Sequence, residues 1–128
     1  MSQAKNKVKW CLEKAEKELA MGRKHRGLIK KEQDIEKAKD HIGKAEHNLK
    51  AISYFNDGGF SDWSISAMFY CIYQCFLAII SKFGYESGNQ ECTVALRKNL
   101  KEQNKIKIDD KFIDIFENSN EQERHEAS

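Results

Sequence analysis

Proline is absent from the 128 residues, and glycine occurs only 7 times. No helix is therefore obliged to kink for want of a backbone N–H, and few positions can leave right-handed geometry cheaply. Strand-like alternation of apolar and polar residues is missing as well, while Lys, Glu, Ala and Leu are abundant, so the chain is expected to be helical. It has no internal repeat and no low-complexity linker, and its length suits a single domain over residues 1–128. The net charge is only +2, so the overall balance does not mark a nucleic-acid binder.

Several chemical signatures are missing too. The amino terminus, MSQAKNKVKW, lacks the apolar stretch of a signal peptide, so the four cysteines (Cys11, Cys71, Cys75 and Cys92) are expected as reduced thiols in the cytoplasm. Cys71 and Cys75 share a helical face at i, i+4, as metal ligands do, but no His or Cys lies near them in sequence, and they read as small core hydrophobes. His41 and His47 stand six apart and fall on different sides of a helix, which disfavours a metal pair. Gly58-Gly59 lacks the following Lys-Ser/Thr of a phosphate-cradling loop. No Ser, His and Asp arrangement follows from spacing, and neither a metal nor a cofactor is expected.

What the chain does have is an uncharged run of 19 residues, from Trp63 to Ser81, inside a sequence that is 33% charged. The run passes the length test for a membrane span. Against that reading, Ser66, Tyr70, Gln74 and Ser81 form a polar seam near one side of a helix. Ser61 and Asp62 look like a helix start, and the flanks lack the basic asymmetry that sets membrane topology. The neighbouring amphipathic segments need an apolar partner, so a buried bundle helix is expected and a membrane is not.

Helical spacing in Val8, Cys11, Leu12, Ala15 and Leu19 predicts a first helix over 3–21, ending near Gly22. Ile35, Ala38, Ile42, Ala45, Leu49 and Ile52 predict a second over 31–56, closed by Gly58-Gly59. The uncharged run gives a third over 61–83, stopped by Gly84. Val94, Leu96 and Leu100 anchor a fourth over 91–103, and Phe112, Ile113, Ile115 and Phe116 a fifth over 109–125. The expected fold is all-α: an up-and-down bundle of four to five antiparallel helices with a central buried helix near 61–83.

Charge is unevenly distributed. Residues 1–50 carry 14 Lys or Arg against 8 Asp or Glu, and residues 51–128 carry 8 against 12, which is +6 against −4. Arg23, Lys24, Arg26, Lys30 and Lys31 concentrate positive charge between the first two helices, where they are candidate phosphate contacts or simply a solubilising loop.

In order along the chain stand Lys44-Ala45-Glu46-His47-Asn48-Leu49-Lys50-Ala51, a Gly58-Gly59-Phe60 turn, Ala67-Met68-Phe69-Tyr70-Cys71-Ile72-Tyr73, Phe83-Gly84-Tyr85 and Arg124-His125-Glu126-Ala127. This order resembles the HEPN domain family, over roughly residues 30–128. The resemblance implies a helical bundle, often a homodimer, that binds nucleotide or RNA and pairs with a nucleotidyltransferase in two-component, toxin-antitoxin-like modules. It also implies Arg124 and His125 as candidate anion or nucleotide contacts. Tyr70, Tyr73 and Gln74 on the polar seam are further candidates, by stacking or hydrogen bonding, or else core residues whose polar ends reach the rim.

Ribonucleases of that family carry an Arg, four to six residues, then a His. Here Arg97 has no His at that distance and His125 follows Arg124 immediately, so no catalytic residue is expected. The readings are thus a cytoplasmic nucleotide- or RNA-binding module, a metal-independent endoribonuclease toxin whose motif is incomplete in this chain, or a helical protein–protein adaptor.

Overall fold

The computed structural model describes residues 2–109, together with 111 and 114. Nearly all of the expected fifth helix, with Arg124 and His125, lies outside the described residues. The fold is an all-α helical bundle with one small sheet: α1 (Gln3–Ala20), β1 (Leu28–Lys30), α2 (Ile35–Asp57), α3 (Ser61–Lys82), β2 (Tyr85–Ser87) and α4 (Gln90–Glu102).

The helix boundaries follow from local chemistry. Ser2 caps α1 by accepting the Lys5 amide N–H (3.0 Å), and the helix closes at Met21 before Gly22, which adopts φ +73°. α2 starts at Ile35, the first residue of its hydrophobic pattern and four residues later than the expected range, because Asp34 is its cap: Asp34 Oδ1 accepts the Lys37 N–H at 2.9 Å. Asn89 does the same for α4 by accepting the Cys92 N–H at 3.2 Å.

Contacts divide the chain into two compact units, one formed by residues 2–38 and 76–107 and the other built on 39–75. In the first, α1 turns Val8, Cys11 and Ala15 inward at helical spacing, and they meet Leu28, Ile80, Cys92, Ala95, Leu96 and Leu100 in one apolar core. Seven residues of α4 are buried, including Arg97, whose guanidinium lies 5.8 Å from the centre of the Phe76 ring. β1 and β2 pair antiparallel, with Leu28 opposite Ser87, Ile29 opposite Glu86 and Lys30 opposite Tyr85. This sheet was not foreseen: three-residue strands are too short to show a period of two.

In the second unit, Ala45 and Phe69 are buried, Tyr73 stacks on Phe69 (6.3 Å, 13°), and Phe55 packs beside Trp63 at 6.2 Å. α3 as a whole is long and apolar enough to cross a membrane, and 39% of its most apolar window is buried.

One expectation needs correction. The thiols of Cys11 and Cys92 are not reduced: they form a disulfide between α1 and α4, both ends fully buried. Sequence could not pair them, because 81 positions separate them and only packing brings the helices together. Cys71 and Cys75 are half-buried and unbridged, and burial pushes both thiols up, away from reactive thiolate. Denaturing, non-reducing alkylation is expected to label these two cysteines, and prior reduction to raise the number to four; four labels without reductant would refute the pairing. Loop entropy for ~80 residues sets an upper value of about 4.5 kcal/mol, so replacing both bridged cysteines with alanine is expected to cost roughly 2–4.5 kcal/mol in denaturant titrations.

Candidate functional site: a basic cleft beside a buried histidine

α1 ends where the loop 21–27 begins, and the loop is pressed back onto the first unit at two glycines. A Cβ on Gly27 would stand 2.2 Å from the Cys11 carbonyl oxygen, and one on Gly88 would stand 2.5 Å from that of His25. Both would meet backbone, so the loop sits this close only because both positions lack a side chain. The Gly88 N–H donates to the Gly27 carbonyl (2.9 Å), joining the loop to the end of β2.

This contact forms a cleft of about 680 Å³ lined by Lys14, Glu18, Arg23, Lys24, His25, Arg26, Ser87 and Gly88. Four fixed cations face one carboxylate there. Glu18 is already engaged: Oε1 accepts the Arg26 backbone N–H at 2.8 Å and Oε2 accepts from Lys14 Nζ at 3.2 Å. The Arg26 hydrogen bond is the main reason its carboxyl lies below the usual range. Arg23, Lys24 and Arg26 are exposed, so their charges reach solvent at the cleft mouth.

His25 is buried at the back of the cleft. Its Nδ1 accepts the Gly27 N–H (3.3 Å), which places the ring proton on Nε2, and Nε2 donates to Glu86 Oε2 at 2.7 Å. Lys31 Nζ donates to Glu86 Oε1 at 2.9 Å, and Lys37 Nζ lies 3.7 Å from the same oxygen. The His25 hydrogen bond first, then that of Lys31, hold the Glu86 carboxyl far down, at about 2. The cluster fixes the imidazole and with it the loop, rather than presenting a proton donor to a ligand.

Of the five basic residues singled out from sequence, Arg23, Lys24 and Arg26 line this cleft. Lys31 is committed to Glu86, and Lys30 stands exposed on β1; neither lines it. Lys14 was missed, although its i, i+4 spacing to Glu18 marks the cleft wall. In the second unit, Tyr70 and Gln74 line a separate groove of about 510 Å³ with Asp40, Gly43, Lys44, His47 and Asn48 of α2. His41 Nδ1 and Gln74 Oε1 hydrogen-bond at 2.6 Å. Tyr73, stacked on Phe69, does not line that groove. No group of three or more metal-ligating side chains occurs among the described residues.

Set against known proteins, the chain matches no family model, no curated protein and no solved structure.

Glu86 makes acid stability a readout of this cluster. Its folded-state value lies below the unfolded one, so the ionised group stabilises the fold above about pH 4.5, and the contribution is lost as pH falls from there towards about 2. Urea midpoints measured at about pH 6 and about pH 2.5 are expected to fall further for the unchanged protein than for Glu86→Gln. Equal falls would show that Glu86 does not carry this dependence.

Proposed function

We propose that this protein is a binding module for phosphate-bearing ligands, a nucleotide or RNA, held at the basic cleft of the first unit. The observation that carries this reading is the gathering of Lys14, Arg23, Lys24 and Arg26 around one hollow. Among the described residues lining it, the only carboxylate is already bonded to Lys14 and to the Arg26 backbone. Phosphate oxygens would replace water around those cations, whose like charges around one hollow add up to an attractive potential for an anion.

The motif order shared with the HEPN family supports the same ligand class, and on it we propose a nucleotidyltransferase partner in a two-component module. Catalysis is not part of the proposal, since Arg124 and His125 stand adjacent rather than at ribonuclease spacing. The proposed location remains the cytoplasm, where such ligands are found. Complete burial of both sulfurs would slow attack by cytoplasmic reductants on the Cys11–Cys92 bond, although disulfides otherwise favour oxidising compartments.

A second reading, self-association or docking of a protein partner, is favoured by Ile42, Leu49, Tyr54, Phe60 and Trp63, all exposed in the second unit. A homodimer is proposed on this ground, and light scattering across a dilution series that finds monomer throughout would remove it.

For the cleft, the doubly reversed variant Arg23→Glu/Lys24→Glu is expected to bind triphosphate or RNA more than tenfold more weakly. For single-stranded RNA, the slope of log affinity against log salt should shrink by roughly 0.7 for each phosphate that the variant no longer neutralises. Unchanged affinity and slope would place any anion site elsewhere.

A further inference from the structure

Trp10 lies on α1 with 49% of its surface exposed, outside the apolar core that Val8, Cys11 and Ala15 enter from the same helix. Its indole lines a second hollow, of about 360 Å³, with Glu13, Lys14, Lys17, Glu18 and Arg23. Lys14, Glu18 and Arg23 line the basic cleft as well, so the two hollows adjoin on the first unit. Lys7 Nζ stands 4.1 Å and Lys14 Nζ 5.8 Å from the indole ring centre. Both cations stand over the indole ring, Lys7 in close cation–π contact with it, and the ring shares its hollow with Arg23, the first basic residue of the loop.

We infer that the cleft and Trp10 together form a track for single-stranded nucleic acid, in which a base stacks on Trp10 while the adjoining phosphates pass Lys14 and Arg23 into the cleft. This deepens the phosphate-binding reading and rests on it.

An aromatic ring set among cations suits a ligand that alternates flat rings with negative charge, because stacking rewards any base and the cations neutralise the backbone. Lys7, which covers the indole, is held by Glu91 at 3.4 Å through an exposed ion pair; a base that stacks on that face displaces its ammonium, which then turns to the adjoining phosphate. Both hollows open to solvent. A single nucleotide would fill only part of the track. Stacking and phosphate contacts are indifferent to sequence, so the ligand proposed is a strand of any sequence, RNA or DNA.

Trp10 reports on its own occupancy. The chain has 2 tryptophans, and in Trp63→Phe the fluorescence comes from Trp10 alone. Titrations of that variant would use hexaadenylate RNA, its deoxy counterpart, an abasic phosphodiester of equal length, ATP and inorganic triphosphate. The expected result is saturable quenching by hexaadenylate, with affinity above that of the abasic chain and of ATP. Trp10→Ala should lower hexaadenylate affinity about tenfold or more without changing the salt slope, and Trp10→Phe should restore most of it. Circular dichroism and melting of these exposed-site variants check that they fold.

Hexaadenylate bound without quenching, abasic chain bound equally well, or Trp10→Ala without effect would each overturn the track while leaving the cleft. ATP bound as tightly as the hexamer would overturn the strand in favour of a mononucleotide. Triphosphate binding with no affinity for either oligomer also overturns the track alone, whereas no binding of any anion removes the cleft reading with it. Equal affinity for the ribose and deoxyribose chains supports a track that reads base faces and phosphates; a preference for one names the source.

Discussion

The loop between α1 and β1 is held by close backbone contact, and the arrangement of the first unit depends on that contact. Gly27 lies against the Cys11 carbonyl and Gly88 against that of His25, so the loop is packed between α1 and the turn that leads into α4. The Cys11–Cys92 bridge joins the same two helices from within the core. Asn89 caps α4 one residue beyond Gly88, and Thr93 Oγ1 donates to Ser87 Oγ at 2.7 Å, so the cap, the strand end and the loop form one connected piece. A side chain at either glycine would push the loop away and spread its cations.

Electrostatics then divides the basic residues into two groups with different work. Lys31, Lys37 and His25 converge on Glu86 and hold the strand pair to the loop, where the ionised carboxylate in a partly buried setting accepts charge-assisted hydrogen bonds from Lys31 and His25. Lys14, Arg23, Lys24 and Arg26 face the cleft with one carboxylate among them, already bonded. The structural group orders the loop by itself, so in the proposed binding the cleft cations would not bear the full entropy of loop closure.

Much of the helical architecture was legible. Apolar spacing placed α1, α3 and α4 within a residue or so of their ends, because each boundary coincides with a cap or a glycine that sequence displays directly: Ser2 and Gly22, Ser61 and Gly84, Asn89. α2 was placed too early, since Lys31 to Gln33 are compatible with helix and only the Asp34 side chain shows where the first turn closes. The strands left no periodic trace. Three of the five candidate phosphate contacts proved to share a cleft, but Lys14 and Trp10 lie on α1, a helix read for its buried face alone.

The sequence by itself determined that this chain is helical, where most of its helices begin and end, and that positive charge gathers after the first of them, because capping, glycine and periodicity act over a few neighbouring residues. Which cations face a common hollow, which one serves Glu86, which two of four cysteines are bonded and which tryptophan borders the cleft were decided only by tertiary structure. These are relations between residues up to 81 positions apart, and they come from the packing of α1 against α4 and the pairing of β1 with β2, which no local pattern encodes.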